Sequence, residues 1–240
     1  MTIIDAQNLE YRMLNDRIRL AGSPCTVVNC CGQRFLAAGL TEREITVHGV
    51  PGNALGAFLN GASIYVKGNA QDAVGDTMND GLIAIDGSVG DAAGYAMRGG
   101  RIFIRGDAGY RAGIHMKAYR DKVPVMVIGG CAGSFLGEYQ AGGIIIVLGI
   151  GRGDRNLVRY FPCTGMHGGA LYLRGSTDGI RLPPQVSARR AKERDIEKIQ
   201  AHLDEFSALF GCDIESLLSE PFTVVTPDTS NPFRQLYVAN

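Results

Sequence analysis

The sequence lacks the features that several common functions require. It has no excess of charge, because Lys plus Arg and Asp plus Glu are both 24. A balanced chain has no electrostatic attraction for nucleic acid or for an anionic membrane surface. Its longest apolar run is far below the roughly 18 residues that span a bilayer. Its N-terminus, MTIIDAQNLEYRMLNDR, lacks the charged-then-apolar layout of a signal peptide. We therefore expect a cytoplasmic protein that binds neither nucleic acid nor membrane.

Motifs of catalysis and metal binding are also missing. The chain contains no G-x-S-x-G nucleophile motif, no H-E-x-x-H and no G-x-x-x-x-G-K-[ST] phosphate loop. Its cysteines form no C-x-x-C pair, so we expect free, mostly buried thiols rather than a zinc site. The cysteines are Cys25, Cys30, Cys31, Cys131, Cys163 and Cys212, and the scattered histidines are His48, His115, His167 and His202. No catalytic, cofactor-binding or metal-ligating residue is predicted in this chain.

Proline is scarce at 9 residues, whereas glycine is abundant at 33 of 240, nearly twice the usual share of about 7%. The glycines mark a repeat, x-[ILV]-x-[ILV]-x-G, that occurs seven times. Its final glycines are Gly49, Gly68, Gly87, Gly106, Gly129, Gly149 and Gly175, at spacings of 19, 19, 19, 23, 20 and 26 residues. A second glycine follows seven residues later in several copies, as at Gly56 and Gly75. Each unit therefore predicts a short strand followed by turns.

Residues at the same position in successive units form lanes of similar side chains. The alignment assigns two aliphatic lanes to the core: Ile45, Ile64, Ile83, Ile102, Val125, Ile145 and Leu171, and Val47, Val66, Ile85, Ile104, Val127, Val147 and Leu173. A third lane contains Leu59, Met78, Met97 and Met116. Since one unit cannot bury such lanes alone, stacked units must form the core. The repeat predicts a parallel β-helix of about seven coils over residues 44–180.

The two ends of the chain have a different composition. Residues 1–43 are predicted to form an N-terminal cap, with an amphipathic helix over residues 6–20 after Asp5 and extended segments behind it. Residues 181–240 are predicted to form a helical and extended appendage, with Ser187 and Gly211 as the caps of its main helix and a short helix after Asp213. The helical stripe consists of Ile196, Ile199, Leu203, Phe206 and Phe210.

The outward lane of the repeat is apolar instead of charged. It contains Thr46, Tyr65, Ala84, Phe103, Met126, Ile146 and Tyr172 in the alignment. Such a stripe is expected to be covered. The C-terminal helix of the same chain is the favoured cover, and another subunit is the alternative.

A few polar residues are candidates for function. His115 and Lys117 point outward on one face, Arg98 and Glu138 lie at turns, and His167 lies in the insertion of the longest repeat step. Solvated turn residues or partner contacts are the favoured interpretation, because no nucleophile, base and orienting group occur together. The alternative is a small enzyme with a site near His115 or His167.

The segment IIIVLGIGRGDRN, residues 144–156, superficially suggests a dinucleotide-binding loop. That motif requires a third glycine at position 154 and a helix after it, but position 154 is Asp and Pro162 follows soon. Gly149 is therefore interpreted as a turn of the repeat. Gly151 and Gly153 begin the longest insertion, which we expect to contact a partner.

Longer stretches of the repeat carry a resemblance to a known family. PGNALGAFLNGASIYVKGNAQDAVGDTMNDG, GDAAGYAMRGGRIFIRGDAGYRAGIHMKAY, GGCAGSFLGEYQAGG and GMHGGALYLRG resemble the glycine-repeat (GXGXG) domain at the C-terminal end of the glutamate synthase large subunit. They are also similar to a subunit of formylmethanofuran dehydrogenase that shares the fold. The resemblance covers about residues 44–175, and the ending P-F-R-Q-L-Y resembles the stand-alone form of the domain more loosely.

The resemblance implies a right-handed parallel β-helix and a non-catalytic scaffold role. In that family glutamine is hydrolysed by an N-terminal cysteine, and ammonia meets 2-oxoglutarate at an FMN and iron–sulfur site in another domain. No catalytic residue of the family maps onto this chain. We therefore expect a subunit that bridges glutaminase and FMN-dependent synthase subunits, with FMN and iron–sulfur held by those partners. A subunit of formylmethanofuran dehydrogenase or of an N-methylglutamate synthase is the alternative, and a homo-oligomer is left open.

Overall fold

The protein is a parallel β-helix, seen in a computed structural model that describes residues 2–228. One sheet of eleven strands runs its length, with strand order β1 to β9 and then β11 and β10. The strands are β1 (Thr2–Asp5), β2 (Cys25–Cys31), β3 (Glu44–Val50), β4 (Asn60–Lys67), β5 (Asp80–Ile85), β6 (Arg101–Ile104), β7 (Val125–Ile128), β8 (Ala141–Val147), β9 (Gly168–Arg174), β10 (Val186–Arg190) and β11 (Phe222–Pro227). The helices are α1 (Tyr11–Leu20), α2 (Glu193–Phe210) and α3 (Ile214–Leu218).

The predicted fold is confirmed, with about eight coils instead of seven. Strands β2 to β9 each belong to one coil, and each consecutive pair in this series is parallel. The additional coil comes from β2 and the turn behind it, a segment that lacks the repeat glycine pattern. Its Cys25 and Val27 nevertheless pair with Ile45 and Val47 and are buried in the core.

In the coil that contains β7, the observed register is shifted by one residue relative to the sequence alignment. Met126 pairs with Ile102, and Met126 and Ile128 lie in the interior of the column. Val125 and Val127, which the alignment places in the core lanes, belong to the outward apolar cluster. Because side chains alternate between the two faces of a strand, a shift of one residue exchanges core and exterior. The prediction was wrong in this coil, and Val127 takes the outward place given to Met126.

The same shift identifies the correct repeat glycine of this coil. The Gly130 amide donates to the Gly106 carbonyl oxygen at 2.8 Å, so Gly130 is the equivalent of Gly106. Gly129, which the alignment selects, faces outward instead. A Cβ atom at Gly129 would lie 2.2 Å from the Arg105 carbonyl oxygen and 2.8 Å from the ring of Phe206, so glycine there allows both the preceding coil and α2 to pack closely.

In each turn of the column, every second residue of a short stretch has a left-handed backbone conformation. In one coil these are Ala73, Gly75 and Thr77, with φ values of 57°, 66° and 52°. The amides of Ala73 and Thr77 donate to carbonyls of the next coil, whereas the Gly75 amide donates to the preceding coil. Non-glycine residues adopt this conformation rarely, and here these hydrogen bonds to both neighbouring coils compensate for the strain. The middle residue points inward and the outer two point to solvent.

Side chains also connect the coils through a ladder that follows the repeat glycine. The Ser88 amide donates to Asn69 Oδ1 at 2.8 Å, the Asp107 amide to Ser88 Oγ at 3.0 Å, and the Cys131 amide to Asp107 Oδ1 at 2.7 Å. Each side chain satisfies a backbone donor that the coil geometry would leave unpaired. Cys131 is the last residue of this ladder.

The N-terminal end is closed by a strand and a helix. Strand β1 pairs in parallel with β2, and α1 begins at Tyr11 with Glu10 as its N-cap. The predicted helix start after Asp5 is wrong, because residues 6–10 form a turn between β1 and α1. Leu14 and Ile18 of the predicted apolar face are buried, as the helical pattern requires.

The C-terminal segment covers the outward apolar stripe. Strand β11 pairs antiparallel with β9, and β10 with β11. Helix α2 begins with Lys192 as its N-cap and ends at Gly211, whose φ is 69°. Ser187 lies in β10, so its predicted capping role is wrong. The predicted short helix after Asp213 is confirmed, with Asp213 as its N-cap. The P-F-R-Q-L-Y ending lies outside the described residues.

The stripe and its cover form one cluster, separate from the core of the column. On the column it contains Phe103, Val127, Ile146 and Tyr172, and on the cover Ile199, Leu203, Phe206, Leu217 and Val224. The apolar stripe therefore belongs to an intramolecular interface, as favoured from the sequence. Among residues 2–228, no helix is long and apolar enough to cross a bilayer.

Candidate functional site

An exposed row of rings occupies the turns of the middle and last coils. We call it the aromatic turn face; it consists of Tyr95, Tyr110, His115, Phe135, Tyr139, Tyr160 and Phe161. Four of its members sit at left-handed positions that point outward: His115, Phe135, Tyr139 and Phe161. The rings pack in two groups, Tyr95, His115 and Tyr139, and Tyr110, Phe135, Phe161 and Tyr160. Exposed large rings of this kind are typical of protein interaction sites.

His115 is a packed member of this face. Its ring stacks on Tyr139, with ring centroids 5.2 Å apart and planes 9° apart, and meets the edge of Tyr95 at 5.9 Å. Lys117 is exposed, as His115 is. Glu138, expected to be a solvated turn residue, is instead buried and accepts a hydrogen bond from Arg111 Nε at 2.9 Å.

Arg111 is a functional candidate that the sequence reasoning missed. Its guanidinium lies 4.8 Å from the ring centre of Tyr110 and 5.5 Å from that of Phe135, while it pairs with Glu138. The repeat offered a signal for it, because Arg111 occupies the left-handed turn position at which the preceding coil has the small residue Ala92. Arg98 lies elsewhere, at a cavity of about 550 Å³ that Lys122 also lines.

The insertion of the last coil ends before His167. Val158 bridges to Ala132 nine positions after Gly149, whereas Ala70 occupies the equivalent bridge two positions after Gly68. The seven additional residues of this coil therefore lie before Val158.

The placement of His167 inside the insertion was thus wrong. His167 directly follows the buried lane residue Met166, and its Nδ1 lies 3.0 Å from the Gly165 carbonyl oxygen.

A cavity of about 520 Å³ opens beneath this insertion, at the end of the side-chain ladder. We call it the arginine cavity. Its lining residues are Cys131, Ala132, Arg155, Asn156, Arg159, Tyr160, Phe161, Gly179 and Arg181. Three guanidinium groups and no carboxylate belong to this lining. Asp107 lies nearby, and its carboxylate accepts from Arg155 Nη1 at 2.7 Å.

The four buried thiols of the column have raised pKa values. Burial raises the pKa of Cys131, although the neighbouring Arg155 opposes that shift. Burial alone raises the pKa of Cys163 to about 12. Nucleophilic cysteines require a lowered pKa, because the thiolate is the reactive form. All six cysteines are free, as predicted, and four of them are buried.

The geometry does not bring a catalytic set together. Within residues 2–228, no group of three His, Cys, Asp or Glu side chains is placed to hold a metal ion. His115 contacts aromatic rings and His167 contacts a backbone carbonyl, so no carboxylate of the described residues orients either ring. What the structure offers is an exposed aromatic surface and a positively charged cavity. The protein is thus a parallel β-helix that carries both features on its surface.

Comparison with known proteins identifies the family. The GXGXG motif family matches residues 10–228, and this chain belongs to it; the same domain occurs in the large subunit of glutamate synthase. The chain is also similar to an uncharacterized protein of Methanocaldococcus jannaschii, with 45% identity over 249 residues that cover 98% of this chain and 95% of the relative.

Proposed function

We propose that this protein is a non-catalytic scaffold subunit of a cytoplasmic glutamate synthase-type complex, in which glutamine and 2-oxoglutarate yield glutamate. It bridges a glutaminase subunit and an FMN-dependent synthase subunit, which hold the catalytic cysteine, the FMN and the iron–sulfur cluster. The observation that carries the proposal is the family match across residues 10–228, because it extends beyond the repeat to both end segments.

The surface of the column supports a role in binding other proteins. The outward stripe is already covered by α2, so the aromatic turn face is the large exposed apolar surface that remains at the described turns. Tyr110 and Tyr160 are 38% and 71% exposed, which makes them suitable anchors for a partner. Their side chains sit above the last coils, next to the insertion.

Affinity purification of the tagged protein from its native cells tests the proposal. A flavoprotein with an iron–sulfur cluster and a glutaminase are expected to copurify in fixed ratio. Recovery of the tagged chain alone from gently lysed cells would contradict the scaffold role. Partners of formylmethanofuran or N-methylglutamate metabolism would replace the glutamate synthase assignment with one of the alternatives.

Surface variants test which face holds the partners. The double variant Tyr110→Ser and Tyr160→Ser is expected to lose at least one copurifying partner while its melting temperature stays unchanged. Tyr119→Ser is the matched control, because Tyr119 is 52% exposed but lies outside the aromatic turn face. If all variants capture the partners equally, the interface with these partners lies elsewhere on the protein.

A further inference from the structure

We propose that the arginine cavity binds a small phosphate ester with a planar ring, such as a nucleotide. The binding would occur on this chain alone and does not depend on the scaffold role. It rests on the position of the cavity, on its charge, and on the size and aromatic character of its walls.

The cavity results from an irregularity of the column. In each regular coil, the residue after the repeat glycine has a side chain that accepts a hydrogen bond from a backbone amide of the next coil. This ladder ends at Cys131. The seven-residue insertion then bulges outward before the column resumes at Val158. Arg155 and Arg159 come from the insertion and its exit, whereas Arg181 comes from the segment behind β9. Two separate parts of the chain thus place cations around one space.

The charge of the cavity is unbalanced. Arg155 is paired with Asp107. The side chains of Arg159 and Arg181 make no salt bridge or hydrogen bond to the described part of the chain. Two guanidinium groups therefore face the cavity with their donors available, in a protein of zero net charge. Guanidinium groups bind phosphate oxygens through paired, charge-assisted hydrogen bonds.

The walls and volume favour more than an inorganic anion. Phe161 and Tyr160 line the space and are 53% and 71% exposed, which leaves ring faces open for stacking. The volume of about 520 Å³ lies within the range of about 300–1,000 Å³ that is typical of small-molecule sites. A second cavity of about 390 Å³ shares Phe161 and Arg181 with the first and is otherwise lined by Thr164, Leu182, Pro183 and Pro184. A ring on Phe161 would thus leave the phosphate beside the arginines.

Calorimetric titration of the full chain with AMP and with pyrophosphate tests the charge requirement. Both probes are expected to bind, and Arg159→Gln or Arg181→Gln is expected to weaken each of them by about 10-fold or more, since hydrogen bonds to charged groups contribute that much. Arg17→Gln is the matched control, because it removes one positive charge from an exposed position on α1. Binding that falls equally in Arg17→Gln would show diffuse electrostatic attraction and overturn the site.

Aromatic variants test the ring requirement. Phe161→Leu is expected to weaken AMP several-fold and to leave pyrophosphate unchanged. Phe58→Leu is a close control, because Phe58 has the same φ of 58° and is 56% exposed, but lines a different cavity. An unchanged AMP affinity in Phe161→Leu would refute the planar ligand.

Three further outcomes would overturn the proposal. One is that calorimetric titration detects no binding of AMP, ADP or pyrophosphate at millimolar concentration, while circular dichroism shows that the protein is folded. Another is tighter binding of succinate than of pyrophosphate, which would assign the cavity to carboxylates. The last is binding of an acidic peptide through Arg159 and Arg181 without any nucleotide binding.

Discussion

The buried side chain of Gln140 is an exception among the lanes of the column. It occupies the place that Met116 and Met166 hold in the neighbouring coils, and it is fully buried. Its Nε2 donates to the carbonyl oxygens of Gly142 and Gly143, both at 3.1 Å, while its Oε1 has no partner among the described residues. A single amide thus fixes the bulged start of β8 at the cost of one unsatisfied acceptor.

Replacing this amide with a carboxyl group is expected to destabilise the column. Gln140→Glu has nearly the same shape but loses both donors and places a carboxylate against two carbonyl oxygens. Thermal unfolding at pH 7 should show a loss of about 2–4 kcal/mol. Because burial raises the pKa of such a carboxyl, the loss should diminish as the pH falls and the group becomes protonated. A variant as stable as the parent at pH 7 would contradict this account of Gln140.

Glycine at the middle turn position has a packing reason as well as a conformational one. At Gly75, where φ is 66°, a Cβ atom would lie 2.5 Å from Cδ1 of Ile102. The middle turn residue of the first coil is Ala37 and that of the last coil is Cys163, both with φ of 60° and both buried. A side chain is therefore accommodated at this position in these two coils, whereas a Cβ atom at Gly75 would meet Ile102.

This difference gives a test by alanine substitution. Gly75→Ala is expected to destabilise more than Gly151→Ala, by about 1–3 kcal/mol. Gly151 has a similar φ of 69°, but a Cβ atom there would meet nothing within 4 Å. Chemical denaturation of both variants measures the difference. Equal losses would mean that the backbone conformation alone requires glycine.

At the scale of elements, α2 is attached through apolar packing and two ion pairs, Arg101–Glu205 to β6 and Arg189–Asp195 to β10. The Asp195 carboxylate accepts from Arg189 Nη1 and Nη2 at 2.6 and 2.9 Å and from the Lys192 amide at 2.9 Å. These hydrogen bonds hold the pKa of Asp195 well below its usual range. They connect the start of α2 to β10, and Phe206 packs on Gly129 near its other end.

The Arg189–Asp195 ion pair makes the docking of α2 dependent on pH. A lowered folded-state pKa stabilises the protein above the ordinary Asp value of about 3.9, and this contribution is lost as the pH falls through the folded value. Asp195→Asn should therefore lower stability at pH 7 by about 1–3 kcal/mol. Hydrogen exchange of the α2 amides should accelerate in parallel.

The pH profile provides the check on this interpretation. The difference in stability between Asp195→Asn and the parent should shrink below about pH 4. Asp204→Asn is the control, because Asp204 is exposed and accepts only from Gln200 within α2. A difference that stays constant down to pH 2 would show that charge on Asp195 is not its cause.

At the scale of the whole molecule, the described residues form an exposed aromatic surface and an arginine-lined cavity. We expect the purified chain to be colourless and to release no ammonia from glutamine. The physical reasons are that burial raises the pKa of Cys131 and of Cys163, and that no metal-ligating cluster lies within residues 2–228. Absorption spectroscopy and an ammonia assay measure both properties. A flavin spectrum from the isolated chain would overturn the assignment of FMN to a partner.

Much of this architecture could be predicted because the repeat is an intrinsic property of the chain. Identical aliphatic lanes at a 19-residue period can be buried only by stacking, so the parallel sheet followed directly. The correct phase of β7 was also encoded, since Gly130 and Gly137 keep the seven-residue step seen at Gly68 and Gly75. Five additional residues around the Tyr119–Lys122 bridge concealed it by lengthening the coil before β7.

The arginine cavity could not be predicted in the same way. Arg155, Arg159 and Arg181 share no period, and Arg181 reaches the cavity from beyond the repeat. The first coil escaped recognition for a related reason, because Cys25 and Val27 are buried without the glycine that marks the others.

The sequence by itself determined the periodic part of this protein: its parallel coils, its buried lanes and the family to which they belong. Only the tertiary structure decided which of the non-repeating segments come into contact. Lane residues repeat because each coil packs on a copy of itself, so local pattern and long-range contact coincide. The stripe under α2, the Glu138–Arg111 pair and the arginine cavity join segments that differ from one another, and such contacts leave no period in the chain.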